Sequence, residues 1–289
     1  TIRVRALIFV VLNLVIDGLQ TSLDPRIQRS GGLSSLATSP PAPADDAPPT
    51  VTAGYWTSVW RRLRRDPVAM GAALVLIAIV LMAILAPYIA PADPYRSSML
   101  RRLRPIGTPN YPLGSDELGR DMLSRLIYGA RLALFMGVTP VLIAFAAGST
   151  IGIFAGYVGG KVNTVVMRTI DVFYAFPSVL LAVALSGALG AGFGNALLSL
   201  TVVFIPPIAR VAEAVTTQMR SRDFVEAARA SGASAFTIVR VHVLGNVLGP
   251  IFVYATSLIS VSMILASGLS FLGLGVRPPE PEWGLMLNT

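Results

Sequence analysis

Residues 220–246, RSRDFVEAARASGASAFTIVRVHVLGN, read as a short amphipathic helix, a Gly-Ala-Ser break and a second helix, set between two long apolar runs. Asp223 stands where a helix N-cap is expected, with Glu226 three residues on in a capping-box arrangement. Phe224, Ala227, Ala228 and Ser231 fall at helical spacing on one side. Gly232 can take the left-handed conformation that ends a helix. Ser234 can cap the next helix, which runs through Ile238, Val239 and Val243 towards the apolar segment beyond. A compact, capped, Ala-rich turn in that place has the form of a docking element for a soluble partner.

The rest of the chain explains why such an element would be needed. Of 289 residues, 54% are hydrophobic and only 13% charged, against about 25% charged in soluble domains. That balance predicts a polytopic membrane protein. The absence of cysteine excludes disulfides and thiolate metal sites. The net charge of +8 does not point to nucleic acid, because the basic residues cluster beside apolar spans rather than along one soluble face.

Val68 to Ile89 contains no charged residue and covers roughly 33 Å as a helix, enough for one crossing. Arg61, Arg62, Arg64 and Arg65 immediately precede it, which places its start in the cytoplasm. A second span, Leu132 to Val158, returns inward and carries Gly148, Gly152, Gly156 and Gly160 on one face, where a neighbouring helix can approach closely. A third, Val165 to Leu189, is expected to pair Arg168 with Asp171 near its start and to bend at Pro177. Gly190 to Gly194 forms an outer turn. The fourth span, Ala196 to Val215, is expected to be interrupted at Pro206-Pro207, with Arg210 and Glu213 at its cytoplasmic end. A fifth, Val247 to Leu272, leads outward. This alternation places residues 216–246 inside the cell.

Between the first two spans, LGSDELGRDMLSRLIYGAR (113–131) reads on chemistry alone as a mixed-charge, solvated surface helix with two glycine breaks, built on Asp116, Glu117, Arg120 and Asp121. After the fifth span comes GLSFLGLGVRPPEPEWG (268–284). The Glu226-Ala227-Ala228…Gly232 pattern resembles the EAA loop of bacterial ABC importer permeases. Residues 113–131 resemble the LGTDxxGRD signature of C-type permeases of the dipeptide, oligopeptide and nickel family. Residues 268–284 and the DPVAMGAALVL start of the first span are similar to the same subfamily. Together these motifs span most of residues 60–289.

The resemblance implies an all-α, polytopic transmembrane helical bundle with the type I ABC importer permease fold and a cytoplasmic coupling helix. Asp223, Phe224, Glu226, Ala227, Ala228 and Gly232 would meet a separate ATPase. Glu226 either contacts that ATPase or caps its own helix. The implied partners are a second homologous permease subunit, two ATPase subunits (or one fused), an extracytoplasmic substrate-binding protein and the lipid bilayer of the bacterial inner membrane, with no nucleic acid. ATP and Mg would sit on the ATPase subunits, with no cofactor or metal on this chain. The nearest P-loop look-alike, Gly159-Gly160-Lys161-Val162, lacks the upstream glycine and the Ser/Thr after lysine. No catalytic constellation is legible, and the residues that meet substrate cannot be read. Peptides are the expected cargo, with nickel or another small solute, or an ion-coupled secondary transporter, as alternatives.

Two departures from the subfamily stand out. His242-Val243-Leu244-Gly245-Asn246 replaces the usual HxLPN, which puts the expected bend in doubt. Residues 1–29, with an apolar run and Leu23-Asp24-Pro25-Arg26, resemble the closing helix of a peptide permease subunit. A Ser/Pro/Ala-rich linker at 30–58 follows, and the permease domain over 59–289 is expected to hold five spans without the family's last one. A fused pair of permease subunits or an artefact of boundaries would each account for this.

Overall fold

A computed structural model of the protein describes Arg61 and residues 63–287. The expected permease tail at 1–29 and the linker at 30–58 lie outside the described residues. From Leu63 onward the chain forms one compact unit. Its longer helices, in chain order, are α1 (Pro67–Ile89), α2 (Met122–Val158), α3 (Gly160–Tyr174), α4 (Ser178–Leu189), α5 (Phe193–Arg220), α6 (Asp223–Ala230), α7 (Ala235–Phe271) and α8 (Trp283–Met286). Among the described residues the only β pairing is two isolated bridges. Helices α1, α2, α5 and α7 are each long and apolar enough to cross a membrane, and α3 with α4 makes a fifth crossing if counted as one broken span.

Helix α1 starts as its sequence dictates. The Asp66 carboxylate accepts from the N–H groups of Val68 at 3.0 Å and Ala69 at 3.1 Å, with Pro67 in the first turn. Only Ala83 and Ala86 of α1 are buried. The Arg131 guanidinium fastens the helix to α2 by donating to the carbonyls of Ala83 at 2.6 Å and Ile84 at 3.2 Å.

The centre of the unit is the seam between α2 and α5. Three of the four spaced glycines sit on it as expected. A Cβ on Gly148 would come 3.0 Å from the Ile208 side chain, and one on Gly156 would come 2.8 Å from the Glu213 carbonyl. At Gly152 it would meet the Ala209 carbonyl and lie 2.6 Å from the Ala212 Cβ. The backbones therefore touch, and dispersion along the seam replaces side-chain bulk. Gly160 departs from the pattern. It lies past the end of α2 with φ +55° and open space around it, because the helix has already turned at Gly159. Around the seam, Met136, Leu200, Phe204, Ile208, Ile251 and Leu269 form the apolar core.

The third span is an elbow. Helices α3 and α4 meet at 84° across Ala175–Pro177, since proline removes a donor and disfavours helical geometry in the residue before it. Arg168 does approach Asp171, at 3.9 Å, but with its own side chain largely in the open. The close partner of Asp171 is Arg210 on α5, a pairing the chain spacing does not reveal. The expected interruption at Pro206-Pro207 is absent. Helix α5 continues from Phe193 to Arg220 with both prolines inside it, leaving the carbonyls of Val202 and Val203 without their helical donors.

Residues 113–121 are not helical and bury most of their charges, contrary to expectation. They form tight turns ending at the start of α2, with Asp116, Arg120, Asp121 and Arg125 buried. The Asp116 carboxylate accepts from the Arg120 guanidinium at 2.7 Å and from the N–H groups of Leu118 and Arg120, both at 2.9 Å. Arg125 stands 3.6 Å away. Gly119 permits this fold-back. Its φ is +70°, and a side chain there would run into the backbone of Ser98. Only Glu117 of the four expected surface charges is exposed.

The helix ends sort into two sets. At one, Arg125 donates to the Pro279 carbonyl at 3.2 Å, Trp283 donates to the Leu126 carbonyl at 3.0 Å, and the Gly192 N–H donates to the Leu274 carbonyl at 3.3 Å. Tyr95 donates to Glu280 there at 2.9 Å. Burial and that bond push its hydroxyl up to about 12. This set joins the three segments assigned outside by the charge pattern. At the other set, the Arg220 guanidinium packs over Gly159, beside α6. The alternation expected from the sequence is consistent with this sorting.

Candidate functional site

Helix α6 holds the expected coupling residues. Asp223 is its first residue, not its cap. Arg222 occupies the cap position, and no side chain caps the helix. Glu226 makes no capping hydrogen bond among the described residues, so the capping box is not formed. Its carboxylate instead lines a cleft of about 330 Å³ with Thr217, Arg220, Ser221 and Arg229. Two cations and one anion therefore face solvent in one concavity.

The other end of α6 closes as predicted. Gly232 has φ +82°. Its N–H donates to the Arg229 carbonyl at 3.0 Å, and the Ala233 N–H donates to the Ala228 carbonyl at 3.1 Å. This pair of bonds is the Schellman motif, which satisfies the last carbonyls of the helix. Ser234 then caps α7 by accepting from the Thr237 N–H at 3.2 Å. A Cβ on Gly232 would meet nothing within 4 Å, so substitution there costs backbone strain alone. Gly232→Ala is expected to destabilise this turn by about 1 kcal/mol. Hydrogen exchange should show faster opening at residues 227–233 and little change elsewhere, whereas Gly232→Asn should be milder because asparagine tolerates the left-handed region.

Two faces separate the roles of α6. Val225 is fully buried, with Ala228 half-buried behind it and Ile238 and Val243 of α7 beneath. Phe224, Glu226 and Ala227 point outward. The expected side made of Phe224, Ala227, Ala228 and Ser231 is thus split, with Ala228 leaning to the core. Phe236, 74% exposed, extends the outward apolar surface beyond the Gly-Ala-Ser break, and sequence reasoning missed it. The signal was present: it is the aromatic residue two positions after the Ser234 cap. The ring of His242 lies 6.3 Å from that of Phe224, against α6.

The entry into the last span is continuous. Helix α7 runs from Ala235 to Phe271 through a π-helical stretch at Ile238–Val243. Gly245 sits in the helix with open space around it, so no proline-type break occurs at this point. A π-helical turn widens the backbone and often marks a functional position. Here it lies directly between the Gly232 turn and the membrane-crossing part of α7.

Residues 148–289 match the family described as binding-protein-dependent transport system inner membrane component, and residues 54–105 match the N-terminal TM domain of oligopeptide transport permease C. The chain is 38% identical over 233 residues to the glutathione transport system permease protein GsiD of Pectobacterium atrosepticum, covering 81% of this chain and 77% of that protein. It is 39% identical over 251 residues to the di/tripeptide transport system permease protein DppC of Pseudomonas aeruginosa, covering 85% of this chain and 82% of that one. A solved structure of the MetNI methionine ABC transporter in an inward-facing conformation matches at 25% identity and TM-score 0.49, over 54% of this chain and 77% of that one. The chain belongs to the binding-protein-dependent transport system inner membrane component family: it is a multi-pass inner-membrane permease subunit of an ABC importer.

Proposed function

We propose that this permease passes di- or oligopeptides, delivered by an extracytoplasmic binding protein, through a path it forms with a second homologous permease subunit. ATP and Mg bind on two partner ATPase subunits (or one fused), which do the hydrolysis. Their movement enters this chain at α6, where Asp223, Phe224, Glu226, Ala227 and Ala228 meet the ATPase and Gly232 fixes the angle between α6 and α7. The peptide assignment is supported by the transport roles of GsiD and DppC, at 38% and 39% identity.

The single observation that carries the coupling role is the build of α6. It is rooted in the core by Val225 and closed by a complete Schellman turn, yet presents Phe224, Ala227 and Glu226 to solvent. A rigid, rooted, outward apolar surface transmits force, where a floppy loop would absorb it. Ala227 leaves room for a partner surface to approach closely.

The test is reconstitution of the complete importer in proteoliposomes with labelled peptide and ATP. Glu226→Lys reverses the one negative charge in a cleft already lined by Arg220 and Arg229. Uptake is expected to fall at least about tenfold, the scale on which a reversed charge weakens an interface, while the protein stays in the membrane and ATP hydrolysis persists. Uptake at the wild-type level would refute the role assigned to α6.

A further inference from the structure

Beyond the docking surface, the elbow of α3 and α4 opens onto a cavity of about 320 Å³. Its walls come from three elements. The elbow supplies Phe173, Tyr174 and Ser178, α5 supplies Phe204 and Pro207, and α7 supplies Tyr254 with the residues one and two turns further on. Among the described residues, no charged side chain lines it. The hydroxyls of Tyr174, Ser178 and Tyr254 have no hydrogen-bond partner among the described residues. One helical turn nearer the inner end of the same two helices, the Asp171–Arg210 ion pair bridges α3 and α5.

We propose that this cavity is a subsite of the translocation path that takes one uncharged, apolar side chain of the passing peptide, aromatic or branched, with the three hydroxyls serving the flanking amide groups. The inference rests on the peptide-permease reading above and deepens it. The size fits, because about 320 Å³ lies at the lower bound for ligand cavities and suits one or two residues rather than a whole oligopeptide. The chemistry fits as well. A lysine or glutamate side chain would lose its hydration here without gaining a partner charge. A lipid acyl chain would leave three hydroxyls unpaired, whereas a peptide brings amide donors and acceptors to them. The Pro206-Pro207 pair adds to this on α5, since the carbonyls it frees lie one turn back along the same helix. The Asp171–Arg210 ion pair lies outside the cavity wall, one turn further towards the cytoplasmic side.

The experiment compares uptake of Ala-Phe-Ala and Ala-Lys-Ala by the complete importer, with its binding protein and ATP, in proteoliposomes. Tyr254→Asp places an anion in the cavity wall. It should shift the ratio of phenylalanine to lysine peptide uptake by about tenfold towards lysine, the scale at which one pocket contact discriminates. Peptide uptake with an unchanged ratio would overturn the cavity assignment and leave the peptide reading standing. A wild-type complex that takes up neither peptide would overturn both. Should Tyr254→Asp fail to assemble, a photo-crosslinking amino acid in place of Tyr174 decides the matter during ATP turnover. Capture of labelled Ala-Phe-Ala supports the subsite. Capture of lipid or of the second permease alone overturns it, by showing that the cavity faces the bilayer or a subunit contact.

Discussion

Replacing Asp116 with alanine is expected to lower the folding stability of the permease by about 3–5 kcal/mol, the cost of leaving a buried charge without its partner. Its carboxylate holds Arg120 at 2.7 Å and faces Arg125 at 3.6 Å, and both arginine side chains are almost wholly buried. Alanine would leave two cations side by side with no anion within an ion-pair distance among the described residues. The N–H groups of Leu118 and Arg120 would also lose their acceptor. Asp116→Asn should fall between, since one side-chain oxygen can still accept from the backbone while the charge is gone. Glu117→Ala, one residue away and exposed, should change the melting temperature little. Thermal unfolding of the purified protein in nanodiscs measures all three, and equal Tm values for Asp116→Ala and Glu117→Ala would remove the cluster from any structural role.

Gly152→Leu is expected to be nearly as damaging, by a different mechanism. The first carbon of the new side chain would lie 2.6 Å from the Ala212 Cβ and 2.8 Å from the Glu213 nitrogen. Those are backbone-proximal atoms in the middle of a helix and cannot swing aside. Helices α2 and α5 would have to separate. Overpacking of this kind costs about 1–3 kcal/mol and sometimes more, and here it also unseats Glu213, which accepts from the Asn163 amide at 2.6 Å. Gly187→Leu is the matched control, because a Cβ there meets nothing within 4 Å. Tm in nanodiscs should fall for the first variant and hold for the second. A lower Tm in both would point to a general intolerance of bulk rather than to the seam.

These two positions mark what local patterning does and does not reveal. The glycine spacing of α2 could be read directly, because a period of four on a helix defines a face whatever lies opposite. The Ser234 cap and the Gly232 turn were legible for the same reason: each is settled within four residues of chain. The charge cluster was not. Alternating Asp, Glu and Arg is what a solvated helix carries, and nothing local says that Arg125 will meet carbonyls at positions 94 and 279. The signal lay in the glycine breaks at 114 and 119, read as interruptions of a surface helix, where each has positive φ and no room for a Cβ. Likewise Pro206-Pro207 suggested a broken helix, but the packing of Phe204, Ile208 and Ala212 across the seam holds α5 together through it.

In the candidate site, α6 was visible as a motif, whereas which of its faces is buried was not. Asp223 and Glu226 have the spacing of a capping box, yet the chain turns at Ser221–Arg222 in a way that puts Asp223 inside the helix. The Arg210 partner of Asp171, and the cavity above that pair, depend on contacts between residues 39 positions apart. Hydrophobic periodicity carries no information about such distances.

The reach of Arg125 has a consequence for biogenesis. Its guanidinium is completed by a carbonyl 31 positions upstream, and by another 154 positions away that emerges much later in synthesis. Inserted in order from the amino end, the nascent polypeptide must hold this cation in wait through four crossings. The periplasmic rim is therefore among the last parts of the molecule to set, and it records that every preceding segment has been threaded in the proper direction.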